Sequence, residues 1–122
     1  MYENEIEVCQ QPNINSERVV LLKKLLLSDS EATPRADFFK LLGDVTRLRI
    51  VHLLYKNEIC VCELAETMEM SQPAISQALK QLKLANLVIA RKDGKNVFYT
   101  LNSELIKEFI DSLCEISKYE KV

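Results

Sequence analysis

Three features of this sequence predict a mainly α-helical fold with a small β-hairpin, an α+β chain built as one domain. Its 122 residues include only two glycines, so most of the backbone has little reason to leave regular structure. Apolar residues recur at helical spacing in several segments, and Ile75, Ala78, Leu79 and Leu82 form the cleanest set. Asp93-Gly94 stands between two alternating stretches, a strong hairpin signal. With 48% hydrophobic and 28% charged residues, the composition is that of a soluble globular protein long enough for one core.

The elements follow in order. Residues 1–15 are polar and patternless and predict an N-terminal arm carrying Cys9; residues 16–122 predict the folded domain. Ser16 suits the N-cap of a helix over 17–28, which Val19, Val20, Leu21, Leu22, Leu25, Leu26 and Leu27 make too apolar for an ordinary surface helix. That excess predicts either deep burial or half of a subunit interface. Residues 28–34 read as a linker, followed by a short helix to Leu42 that Gly43 would end in a left-handed conformation. Thr46 suits the next cap, with Leu48, Ile50, Val51, Leu53 and Leu54 as a core face.

Residues 58–61 read as a short extended piece, 62–68 as a helix and Glu69-Met70 as a turn. Ser71 caps a helix running to about Ala85, with Pro73 in the first turn, where a missing N–H does no harm. Leu87–Lys92 and Lys95–Leu101 predict two strands. Asn102 or Ser103 opens a last helix, with Ile106, Phe109, Ile110, Leu113 and Ser117 as its stripe. Helix, turn, helix and hairpin in succession is the order of a winged helix-turn-helix.

The charge is unevenly spread. From Ser71 to Leu101, Lys80, Lys83, Arg91, Lys92 and Lys95 face one acid, Asp93, for a net +4; since the whole chain is −2, the rest carries −6. A basic segment in an acidic protein is an electrostatic footprint for nucleic acid, although a solvated lysine-rich surface has the same composition. On a helical wheel, Ile75, Ala78, Leu79 and Leu82 point inward, whereas Pro73, Ser76, Gln77 and Lys80 point out. Ser76 and Gln77 can bond base edges, Pro73 can touch a thymine methyl, and Lys80 can pair a phosphate. Ser71 opens this helix at a phosphate-binding end, and Gln72 lies at the border, where it can reach backbone. Arg91, Lys92 and Lys95 cluster at the hairpin turn, as a DNA-gripping wing requires.

Cys60-Val61-Cys62 precedes the reading elements. Residues i and i+2 lie about 200° apart on a regular helix, so the two thiols can converge on one ion only where the backbone is not yet helical. The start of a helix also favours the thiolate form. The alternative is two small cysteines packed as hydrophobes. No apolar run reaches the roughly 20 residues needed to cross a bilayer, and the N-terminus is acidic, so we expect a cytoplasmic protein with no membrane partner. Its four cysteines are then expected as reduced thiols.

The runs Leu41-Leu42-Gly43-Asp44-Val45-Thr46-Arg47-Leu48-Arg49-Ile50, Glu58-Ile59-Cys60-Val61-Cys62-Glu63-Leu64-Ala65 and Ser71-Gln72-Pro73-Ala74-Ile75-Ser76-Gln77-Ala78-Leu79-Lys80-Gln81-Leu82 are jointly specific. With the wing from Arg91 to Tyr99, they make the stretch from Phe38 to Leu101 resemble the ArsR–SmtB family of metal-responsive winged-helix repressors. The resemblance implies a homodimer through the first and last helices, binding to double-stranded operator DNA, and repression of a metal-efflux or detoxification operon. It also implies that bound metal weakens DNA affinity. Val45 departs from the usual proline, and Gln77 stands where many members carry histidine.

The same resemblance offers two metal locations. One, on the last helix, matches Ser103, Leu105, Ile116 and Tyr119, none a good ligand. The only histidine, His52, lies in an apolar helix and reads as structural, which disfavours a nitrogen-rich zinc site. The other location joins Cys60 and Cys62 to arm cysteines, here Cys9. Three thiolates suit arsenite, antimonite or lead, and cadmium if a fourth donor joins; zinc ranks below these. The cadmium/lead branch usually has two arm cysteines, and the arsenite branch often has a third cysteine where this chain has Ala65. Cys9 as third ligand is the expected arrangement, with a free arm thiol as its alternative; Cys114 reads as packing.

Three other readings stand beside this one, among them a winged-helix regulator that responds to no ligand and uses its cysteines only as packing. The thiols could sense oxidant or sulfide in a regulator of the same fold, or serve a metal-trafficking or thiol-exchange protein, which would need neither reading helix nor wing. No Ser/His/Asp set or glycine-rich phosphate loop is present, so neither catalysis nor a small organic substrate is expected.

Overall fold

The computed structural model describes residues 5–106 and 108. Residues 5–15 carry no helix or strand and are exposed throughout. Helix α1 spans Ser16–Leu25, and its cap is Asn15 rather than Ser16: the Asn15 side chain accepts the Arg18 N–H at 3.1 Å. The helix stops short of residue 28 because Ser28 starts the next one. The Ser28 hydroxyl accepts the Glu31 N–H at 3.2 Å while the Glu31 carboxylate accepts the Ser28 N–H at 3.0 Å. This reciprocal cap opens α2, Asp29–Leu42, so the linker expected over 28–34 is in fact helix. Pro34 lies inside it, where the lost N–H removes one intrahelical bond that the firmly capped first turn tolerates.

Gly43 is not left-handed; its φ is −73°, and its N–H bonds the Lys40 carbonyl at 3.2 Å. Glycine suits the position for space, since a Cβ would sit 3.3 Å from the Lys40 carbonyl oxygen and 3.4 Å from that of Phe39. Asp44, not Thr46, caps α3 (Val45–Leu54) by accepting the Arg47 N–H at 3.0 Å. A carboxylate two residues earlier reaches the orphan donors before the threonine can.

Strand β1 (Ile59–Cys60) leads directly into α4 (Val61–Met68), and α5 (Gln72–Leu84) follows. Strands β2 (Val88–Asp93) and β3 (Asn96–Leu101) form the hairpin. Asp93 pairs with Asn96, so the turn itself is Gly94-Lys95, with φ +62° at Gly94. The expected two-stranded hairpin is a three-stranded antiparallel sheet in the order β1-β3-β2, with Ile59 opposite Tyr99 and Cys60 opposite Phe98. A two-residue strand is too short to show a period in sequence. Expected alternation along β3 is blurred, because every residue from Val97 to Leu101 is partly covered.

The core forms where α3, α4 and α5 meet the sheet: Ile50, Leu54, Leu64, Ile75, Leu79, Leu82 and Leu87 are all under 2% exposed. Leu48, expected in that face, is instead 51% exposed. Replacing Leu79 with alanine is expected to lower stability by about 2–5 kcal/mol, read as a reduced urea midpoint, because neighbours on three elements cannot all close the void. Residues 103–106 begin a further helix; the rest of its expected stripe from Phe109 onward, and Cys114, Ile116 and Tyr119, lie outside the described residues.

Candidate nucleic-acid interface and thiol pair

Helices α4 and α5 are joined by a sharp reversal. Glu69 takes the left-handed conformation at φ +52°, and the Met70 N–H reaches back to the Ala65 carbonyl at 3.0 Å. The Ser71 hydroxyl then accepts the Ala74 N–H at 3.2 Å, starting α5 with Pro73 in its first turn. Ile75, Ala78, Leu79 and Leu82 are buried beneath the helix. Ser71, Gln72, Pro73, Ser76, Gln77 and Lys80 are all exposed. One face thus anchors the helix by burial and leaves the other polar, uncrowded and open to a groove.

Arg91, Lys92 and Lys95 are exposed at the hairpin end of β2 and β3. Among the described residues, neither lysine has a carboxylate within 4 Å. Arg91 differs. Its guanidinium grips Glu58 through two bonds, Nη2 to Oε1 at 2.6 Å and Nε to Oε2 at 3.0 Å, and sits 5.0 Å from the centre of the Phe98 ring. Arg91 hydrogen-bonding holds Glu58 below the usual carboxylate range, and the same bonds raise the Arg91 pKa. One of the three expected wing cations is therefore engaged within the protein.

The thiols occupy the start of α4. Cys60 ends β1 and is buried; Cys62 lies in the first helical turn and is exposed; both are free thiols. Glu63 accepts from both the Cys60 thiol (3.3 Å) and the Cys60 N–H (3.4 Å). The Gln72 side-chain amide donates to the Cys62 sulfur at 3.6 Å. Cys9 is exposed on the arm, and among the described residues no three His, Cys, Asp or Glu side chains gather as a metal site. The fold thus brings Cys60 and Cys62 to one helix start and does not bring Cys9 to them. His52 is exposed rather than structural, because α3 turns Ile50 and Leu54 to the core and leaves His52 on its outer side.

Sequence reasoning missed Glu58 and Glu63. Glu63 carried a readable signal, since an acid three residues after a cap position is the capping-box spacing. Glu58 carried none, because its partner lies 33 residues away.

Residues 44–90 match the arsR family of bacterial regulatory proteins. A transcriptional repressor SmtB homolog of Synechocystis is 36% identical over 115 residues, which is 91% of this chain and 87% of that protein. The cadmium resistance transcriptional regulatory protein CadC of Listeria innocua is 35% identical over 98 residues, 80% of this chain and 82% of that protein. Among solved structures, reduced HlyU from Vibrio cholerae superposes with a TM-score of 0.62 at 35% identity, covering 72% of this chain and 93% of that one.

Proposed function

The chain belongs to the arsR family of bacterial regulatory proteins, whose members here are metal-responsive transcriptional repressors and not enzymes, and on that premise we propose how it reads DNA and what releases it. It binds double-stranded operator DNA as a homodimer, placing two copies of α5 in successive major grooves about 34 Å apart. Ser76 and Gln77 read base edges, Pro73 touches a thymine methyl, and Ser71, Gln72 and Lys80 engage the backbone. Lys92 and Lys95 hold phosphates from the wing, with Arg91 available only when it leaves Glu58. No helix among the described residues is long and apolar enough to cross a membrane, and a cytoplasmic setting fits a DNA-binding regulator.

The observation that carries this reading is a free thiol pair at the start of the helix that precedes the exposed polar face of α5. Two sulfur donors at one helix start fit a thiophilic ion, Cd(II), Pb(II) or As(III), better than Zn(II). Cys60 and Cys62 would hold it, with Cys9 as the third ligand delivered by the exposed arm. Each ligand leaves its present surroundings to do so, which ties occupancy to the start of α4. By linkage, the ion lowers DNA affinity by the factor that DNA lowers ion affinity, about 1–3 kcal/mol.

Operator binding measured by fluorescence anisotropy, with and without Cd(II), Pb(II) and arsenite, tests this. The wild type should release DNA, whereas Cys60→Ser and Cys62→Ser should stay bound. Normal release by either variant would mean that the ion sits elsewhere. A redox- or sulfide-sensing role is the second reading, favoured by the same free thiols and by likeness to a protein solved in its reduced state. Mass spectrometry after polysulfide treatment separates the two.

A further inference from the structure

Gln72 is the first residue of α5, and its side-chain amide donates to the sulfur of Cys62 in the first turn of α4. The bond crosses the helix-turn-helix at the end that carries Ser71, Gln72 and Pro73, all exposed. Cys60 and Cys62 meanwhile hold different partners, the Glu63 carboxylate and the Gln72 amide. Cys60 is extended and stands before the first residue of α4, so the two sulfurs can be drawn to one ion there, and doing so pulls each toward a common point and away from partners on separate elements.

We propose that Gln72 is the positioning residue that couples the thiol pair to the reading helix. With its sulfur free, Cys62 accepts from Gln72 and fixes where α5 begins relative to α4, which is the DNA-competent arrangement. When Cys62 turns to an ion, Gln72 loses its acceptor and the start of α5 is no longer held to α4. No bond to Gln72 is covalent, so the switch is a change of hydrogen-bond partner only. This rests on the thiol-pair reading above, and it adds the side chain through which occupancy reaches the DNA face.

The test compares Gln72→Ala, Cys62→Ala, Cys62→Ser and the double variant Gln72→Ala/Cys62→Ala with wild type. Operator affinity is read by anisotropy and Cd(II) binding by the thiolate charge-transfer band. Gln72→Ala should bind Cd(II) within about threefold of wild type, yet its coupling factor, about 5–150-fold for typical allostery, should fall to within about twofold of unity. Without metal, Gln72→Ala and Cys62→Ala should each weaken operator binding, and the double variant should be no weaker than the worse single. Cys62→Ser offers a hydroxyl in place of the thiol acceptor, so its metal-free loss should be smaller than that of Cys62→Ala, and Cd(II) should not release its DNA. Full coupling in Gln72→Ala, or additive metal-free losses, would overturn the proposal. Wild type that shows the Cd(II) band but holds its operator unchanged would instead sink the metal-switch reading, and the metal-free cycle would still decide whether Gln72 acts through Cys62.

Discussion

A Val20→Glu/Leu21→Glu variant is expected to sediment as a monomer at micromolar concentration and to lose operator affinity by about 10²–10⁴-fold, the avidity gained when a second half-site is bound intramolecularly. Helix α1 buries none of its residues within the chain, and Val20 and Leu21 are 56% and 50% exposed. Beside them Leu22 and Leu26 are also open. Burying one such side chain fully is worth about 1.5–3 kcal/mol, so covering this half-exposed face against a second copy favours association. A carboxylate placed in that interface must give up its hydration, which opposes association. Because neither residue supports the core of its own chain, the variant should keep its far-UV circular dichroism. An unchanged dimer would assign α1 to some other contact and leave the two-headed binding reading without its joint.

The excess of leucine and valine in residues 19–27 makes this face legible from composition and spacing alone, since it leaves burial and interface as the two alternatives. Among the described residues no side chain of α1 is fully buried, which favours the second. The reading helix is equally legible: Ser71 caps it, Pro73 sits in its first turn, and the four inward residues are the ones buried. Such features are local, set by spacing over one or two turns. Capping between neighbouring helices is harder to read. Pro34 weighs as a breaker and hides the Ser28–Glu31 box, while Asn15 and Asp44 outcompete the hydroxyls of Ser16 and Thr46. Contacts across long separations leave no trace in sequence. The pairing of Cys60 with Phe98, the grip of Arg91 on Glu58 and the approach of Gln72 to Cys62 all depend on how elements fold over one another. For the same reason Cys9 can be named as a third ligand by its residue type, but spacing alone cannot bring it to the pair.

The Lys80→Gln/Lys92→Gln/Lys95→Gln variant should show the largest change in salt dependence. Each neutralised phosphate contributes about −0.9 to the slope of log K against log salt. Three lysines in each of two subunits remove six contacts, so the slope should flatten by about 5, and about 10³ of affinity at 50 mM salt relative to 200 mM should disappear. Arg91 should behave differently despite its place on the wing. Glu58 already balances its charge, so a phosphate that met Arg91 would also meet the carboxylate. Arg91→Gln is therefore expected to change the slope less than any one lysine does. Glu58→Gln leaves the guanidinium facing only the more distant Asp93 carboxylate at 3.8 Å, and the slope should steepen by at most about 2 per dimer, with tighter binding at low salt. An exposed ion pair contributes little to stability, so neither substitution should move the unfolding midpoint appreciably, and the effect can be read as binding alone. If Arg91→Gln flattened the slope as much as a lysine variant, the pair would open on DNA and Arg91 would be an ordinary phosphate contact. If the triple-lysine variant kept the wild-type slope, α5 and the wing would not face the backbone at all.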